Sequence, residues 1–237
     1  MTRDHLNDRT ANLGQNEADL LFAILPHIPF DGWTKKAIMA GAESLCANQS
    51  AELAAFPNLP DDLLIGVSKL INQQLSIHIE RVTTQAETSN MRFHEKIIEA
   101  IMRAYGQFKP FRPAMINAAG LMANPYHGKL VTGLLFEQAD HIWREFGDKS
   151  LDFNYYSKRG LLSLVLSSSL LVYLYDESDD LSDTRAFLAR RIDNVLSIPK
   201  IKQAARDRCA HTKQVIKSVL PSTPFGTRND VLKMRGL

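Results

Sequence analysis

Seven histidines, His5, His27, His78, His94, His127, His141 and His211, are the first residues to test for chemistry. The nearest approach to metal-ligand spacing is His94-Glu95 with Glu99, which lacks the second histidine that a zinc-binding helix uses. No Glu-x-x-His pair of the di-iron bundle type occurs. Cys46 and Cys209 stand far apart and match no metal or redox spacing. Ser167-Ser168-Ser169 has no acid–base partner in reach along the chain, and both Gly-x-Ser-x-Gly and the phosphate-cradling glycine patterns are absent. These absences predict no catalytic centre, no resident metal and no cofactor.

The elements that would carry a different chemistry read as helices throughout. Helical apolar spacing runs from Glu17 to Leu25, and Pro29 and Gly32 punctuate a connector over 27–34. A helix capped by Asp31 or Thr34 reaches about Cys46, followed by an Ala-rich turn and a break at Phe56–Pro60. From Asp61, Leu64, Val67, Ile71, Leu75, His78 and Val82 mark a longer helix. Met91–Phe108 carries an apolar stripe of Ile97, Ile98, Ile101, Met102 and Tyr105. Another helix follows Pro113 through Ile116, Ala119 and Leu121, and a further one spans Lys129–Phe146 with Gly147 as its C-terminal stop. Asp152–Tyr175 is the most apolar helix, and burial on nearly all sides is expected of it; Asp179–Leu196 follows, with Leu181, Phe187, Leu188, Ile192 and Val195 on one side. No alternating β-branched run argues for a strand, so the chain reads as all-α with nine or ten helices.

Composition agrees with a globular protein: of 237 residues, 45% are hydrophobic and 23% charged. Two cysteines make a reducing compartment the default. The polar opening over residues 1–16 does not read as a secretory signal, and Leu161–Tyr175, at 15 residues, is shorter than the roughly 20 that a membrane span needs. Charge is uneven. Residues 199–237 hold nine Lys or Arg against two Asp, leaving 19 basic and 24 acidic residues in the rest. Such a tail suits anionic lipid, nucleic acid, or simply solvent. Three short helices before residue 60 have the layout of a helix-turn-helix regulator, but residues 1–60 carry four cations against seven carboxylates, and Asn48–Pro60 has no Lys or Arg. Phosphate neutralisation needs cations, so nucleic-acid binding is not expected.

Three stretches carry a resemblance: Pro29-Phe30-Asp31-Gly32-Trp33; Gly147-Asp148-Lys149-Ser150-Leu151-Asp152-Phe153-Asn154-Tyr155-Tyr156-Ser157-Lys158-Arg159; and Phe187-Leu188-Ala189-Arg190-Arg191-Ile192. In this order, over residues 16–198, the chain resembles the Coq-nine family of ubiquinone-biosynthesis lipid-binding proteins. It departs at Tyr155, where the family places Trp, at Ser157, where it places Thr, and at Ala189, where it has a second Asp. The resemblance implies a tetracycline-repressor-like fold and a homodimer formed through the late helices. It implies a non-catalytic protein that binds isoprenoid quinone precursors and presents them to a hydroxylase of the di-iron demethoxyubiquinone type. The alternative is a ligand-responsive DNA-binding regulator of the same fold.

On that basis the chain divides into a leader (1–14), helix-turn-helix-like N-terminal helices (15–60), a lipid-binding and dimerisation body (61–198), a basic amphipathic helix (199–220) and a frayed tail (221–237). Candidate lipid-lining residues are Ile98, Met102, Met122, Leu134, Trp143, Leu164, Ser167 and Leu171. Candidate partner-binding residues are Asp152, Asn154, Tyr155, Tyr156, Lys158 and Arg159, since two aromatics and two cations at a helix start cannot all be buried. On the last helix Lys202, Arg206, Lys213 and Lys217 fall within a sector of about 60°. With Ile201, Ala205, Val215 and Ile216 they form the candidate membrane-binding face, suited to shallow contact with anionic lipid. The expected location is peripheral: cytoplasmic and against the inner face of the cytoplasmic membrane in a bacterium, or on the matrix side in a mitochondrion.

Overall fold

The structure, a computed structural model, describes residues 14–148 and 153–195, all of which lie in the compact unit that ends at Val195. The basic helix 199–220, with every candidate membrane-binding residue on it, falls outside the described residues, as do the leader to residue 13 and the tail 221–237. The described residues are all helical, with no strand among them. Helix α1 is Gln15–Ile24, α2 Ile28–Asp31, α3 Lys35–Ser44, α4 Gln49–Ala54 and α5 Asp61–Thr84. Then follow α6 Phe93–Phe108, α7 Arg112–Met122, α8 Gly128–Glu145, α9 Phe153–Leu174 and α10 over 182–195. Four short N-terminal helices leading into a long-helix body make a tetracycline-repressor-like domain.

Local chemistry sets the helix ends. Asn48 caps α4 by accepting from the backbone N–H of Ser50 (3.1 Å) and Ala51 (3.4 Å). Asp61 and Asp62 lie in the first turn of α5, at its positive end. At the end of α8 Gly147 takes φ of +80°, so that its own N–H reaches the Arg144 carbonyl (2.8 Å) and the Asp148 N–H reaches that of Trp143 (2.9 Å). Asp176 organises the start of α10 by accepting from the backbone N–H of Ser178 (2.9 Å) and Thr184 (2.8 Å) and from both hydroxyls. Burial alone would raise its pKa, but these hydrogen bonds outweigh it and hold the carboxyl down at about 2.

Packing joins these pieces into one core. α5 lies against α6 and α8, and α8 against α9. At the α1–α3 crossing a Cβ on Gly41 would stand 2.6 Å from the Ile24 side chain and 2.9 Å from its backbone, so only glycine fits. Phe22 of α1 reaches Phe108 and Phe111 at 5.9 and 5.8 Å between ring centroids, tying the N-terminal helices to the end of α6.

Four expectations need correction. The connector over 27–34 contains a helical turn, α2, because Pro29 sits in its first turn, where a missing N–H costs nothing. The Ala-rich turn is the helix α4, none of whose residues is buried. On α7 the buried face is Ala114, Met115 and Ala118, while Ile116 is exposed. Finally, α9 is not buried on all sides. Tyr156 (67%), Leu164 (67%), Leu171 (56%) and Tyr175 (72%) are exposed at heptad-like spacing along one edge.

Candidate functional site

The turn at Gly147 sends Asp148 back toward α9, and this produces the densest polar cluster in the body. Asp148 receives Lys158 Nζ on one carboxylate oxygen (2.7 Å) and Arg159 Nη1 on the other (3.1 Å). Asp140, one helical turn before Arg144, accepts from Arg159 Nε, from the Tyr155 hydroxyl (3.1 Å) and from Arg144 Nη2 (2.7 Å). The Arg159 guanidinium lies 3.6 Å from the centre of the Tyr155 ring, and Lys158 Nζ 5.3 Å from that of Trp143. Arg159 is 1% exposed. Burial pulls its pKa down, but Asp140 and Asp148 more than offset that and the net shift is upward.

This geometry corrects one site expectation. Arg159 has no surface to offer a partner; it is a clamp between the end of α8 and the start of α9. Tyr155 and Lys158 are partly exposed and engaged in the same clamp, whereas Tyr156 is open to solvent beside Tyr155, with ring centroids 5.1 Å apart. Asp152 and the side chain of Asn154 lie outside the described residues.

The eight candidate lipid-lining residues separate. Ile98, Met102, Leu134 and Trp143 are packed in the core, with exposures of 9% or less, and Met122 is half-buried. Leu164 and Leu171 stand on the exposed edge of α9, and the Ser167 hydroxyl donates to the Leu164 carbonyl of its own helix (3.1 Å). One cavity interior therefore does not hold all eight. A different concavity of about 710 Å³ lies between the N-terminal helices and α7, lined by Trp33, Thr34, Pro60, Pro113, Ile116, Asn117, Gly120 and Leu121. Sequence reasoning missed it; its signal was the run 113–126, which has no charged side chain.

The histidines make pairwise contacts and no metal cluster among the described residues. His127 Nδ1 lies 2.9 Å from Asp61, and His78 meets Gln107 at 3.2 Å. His141 Nε2 meets Ser76 Oγ at 2.8 Å, linking α8 to α5; burial lowers its pKa, against opposing pulls from Glu145 and the Asn72 backbone. No helix among the described residues is long and apolar enough to cross a membrane.

Comparison with known proteins bears on the same region. The profile of the COQ9 family matches residues 130–199, which take in α8, the Gly147 turn, α9 and α10, hence the whole Asp140–Asp148–Arg159 clamp. Human "Ubiquinone biosynthesis protein COQ9, mitochondrial" is 25% identical over 221 residues, 92% of this chain and 66% of the human protein. Xenopus laevis COQ9-A is 28% identical over 198 residues, 81% of this chain and 61% of that protein. The Dictyostelium discoideum protein named probable ubiquinone biosynthesis protein coq9, mitochondrial, is 30% identical over 190 residues, 75% of this chain and 59% of its own length. The chain thus spans slightly less than two thirds of these relatives' length. Along most of its own length the chain is similar to these relatives, and residues 130–199, across the clamp, match the COQ9 family profile.

Proposed function

We propose that this chain is a non-catalytic accessory protein of ubiquinone biosynthesis, one that binds an isoprenoid quinone precursor and presents it to a membrane-associated hydroxylase. The observation that carries the reading is the alignment of most of the chain with proteins named for ubiquinone biosynthesis. Two structural features support it. The exposed strip Leu164–Leu171–Tyr175 is the kind of apolar surface that a second copy of α9 would cover. Tyr156, open to solvent beside the clamped Tyr155, offers an aromatic anchor for the hydroxylase. The basic face of residues 199–220 would hold the protein against anionic lipid, at about 1 kcal/mol per cation near the surface.

The test is genetic and chemical together. Cells lacking this chain should accumulate the unhydroxylated quinone precursor, and re-expression should clear it. A quinone pool unchanged by the deletion would refute the assignment. Tyr156→Lys should lose hydroxylase pull-down while keeping its circular dichroism spectrum.

A further inference from the structure

We infer that the outward face of α7, with the turns that carry Phe30 and Tyr126, is a second membrane-contacting surface. Its two aromatic rings enter the interfacial layer while Lys35, Lys36 and Lys129 meet anionic headgroups. This rests on the peripheral-membrane part of the reading above and adds a contact outside the basic helix 199–220. Three observations point there together.

Phe30 (89%) and Tyr126 (84%) are the most exposed large hydrophobic side chains among the described residues, and both stand on fixed turns. Gly32, at φ of +67°, ends α2 by donating to the Ile28 carbonyl (2.8 Å), and the Thr34 hydroxyl donates to that of Asp31 (2.8 Å). The Tyr126 N–H donates to the Asn124 side chain (3.0 Å), and the buried His127 ring meets the Tyr126 ring edge-on, 5.2 Å between centroids. Next, the exposed residues of α7, Pro113, Ile116, Asn117 and Gly120, recur at helical spacing, and residues 113–128 include no Lys, Arg, Asp or Glu. A solvent-facing helix stripe is ordinarily charged; this one, in a chain with 23% charged residues, is not. The turns border it: α2 packs against α7, Thr34 and Pro60 share one concavity with its exposed residues, and Asp61 ties His127 beside Pro60. Finally, cations flank the uncharged stripe. Lys35 and Lys36 follow Thr34, Lys129 follows the 125–127 turn, and all three are exposed with no ion pair among the described residues. The nearby acids are occupied or withdrawn: Asp61 faces His127 Nδ1 (2.9 Å), Asp62 accepts from the Asn58 N–H (2.6 Å), and Asp31 is half-buried. Aromatic tips and lysines around an uncharged surface complement an anionic bilayer. A protein partner would instead need a continuous apolar centre, and the centre here is Asn117 and Gly120.

The test places a polarity-sensitive NBD fluorophore on Phe30→Cys in the full-length chain, with Cys46 and Cys209 replaced by serine. On mixed phosphatidylcholine–phosphatidylglycerol vesicles its emission should brighten, shift to the blue and be quenched by doxyl-labelled lipid. The same label on Glu87→Cys should keep its aqueous emission, because Glu87 is exposed beyond the far end of α5, whose 24 residues place that end about 35 Å from Asp61. Phe30→Ser with Tyr126→Ser removes only solvent-exposed rings, so the circular dichroism spectrum should stay unchanged while vesicle partitioning weakens about tenfold or more. Lys35→Gln, Lys36→Gln and Lys129→Gln together should weaken binding and flatten its dependence on salt. A Phe30 label whose emission stays aqueous on vesicle-bound protein, or equal partitioning of the Phe30→Ser/Tyr126→Ser variant, overturns the inference. Self-association lost in that variant would assign the face to a second copy and likewise overturn it. Failure of the basic-helix reading registers separately, as vesicle binding unchanged when Lys202, Arg206, Lys213 and Lys217 are all replaced by glutamate in the full-length chain.

Discussion

Replacing Arg159 tests the clamp most sharply. The guanidinium is 1% exposed and serves two carboxylates, Asp140 at 8% exposure and Asp148, which come from opposite sides of the Gly147 turn. Arg159→Ala leaves Asp140 with Arg144, which is largely solvated, and with the Tyr155 hydroxyl, while Asp148 keeps Lys158. Removing one member of a buried pair costs about 3–5 kcal/mol, and these remaining partners place the value near the lower end, at about 3 kcal/mol. For a domain of this size each kcal/mol lowers Tm by about 2–4 °C, so the expected fall is about 6–12 °C. Lysine at 159 keeps the charge but cannot bridge both acids, so Arg159→Lys should recover less than half of the loss. Urea unfolding of the single variants and of Arg159→Ala/Asp148→Ala gives the pairwise coupling, expected at about 1–3 kcal/mol. A single variant within 0.5 kcal/mol of wild type, or zero coupling, would show that the cluster does not hold α8 to α9.

Three other outcomes follow from the same structure. Gly41→Ala should destabilise by about 1–3 kcal/mol in chemical denaturation, because the new methyl group meets Ile24 backbone at 2.9 Å; a neutral substitution would contradict that crossing. Asp176 has its folded pKa depressed to about 2 from 3.8, so its contribution is full above pH 4 and is lost as pH falls toward 2. Accordingly the stability gap between wild type and Asp176→Asn, about 2 kcal/mol at neutral pH, should close over that window in urea titrations, and a gap independent of pH would refute the assignment. Leu164→Glu with Leu171→Glu should convert a dimer into a monomer in sedimentation velocity with unchanged helicity; sedimentation identical to wild type would dismiss the α9 edge as the dimer surface.

The long helices were legible because each carries both a period and a boundary. Asp61 and Asp62 open α5, the Ile97–Tyr105 stripe marks α6, and Gly147 closes α8. α7 was misread in its facing. Ala114, Met115 and Ala118 compete with Ile116, Ala119 and Leu121 for the core, and periodicity alone cannot choose between two apolar stripes on one helix. α4 escaped because it buries nothing, so no stripe exists to be seen; its only mark was the capping Asn48. The exposure of Arg159 was out of reach locally, since the acids that bury it stand 11 and 19 positions away and arrive only when the chain reverses at Gly147. The concavity was hidden for the same reason: Trp33 and α7 meet across about 80 positions of sequence. Resemblance to a family reached the fold by another route, and the arrangement of side chains then moved Arg159 from an expected surface position into the buried clamp between α8 and α9.

The most direct measurement is native mass spectrometry, with lipid extraction, of the protein purified from its own host. A carrier of ubiquinone precursors should retain an isoprenoid quinone or its precursor at up to one per protomer, and release it on unfolding. Protein that is folded and free of any isoprenoid lipid across independent preparations would contradict the account.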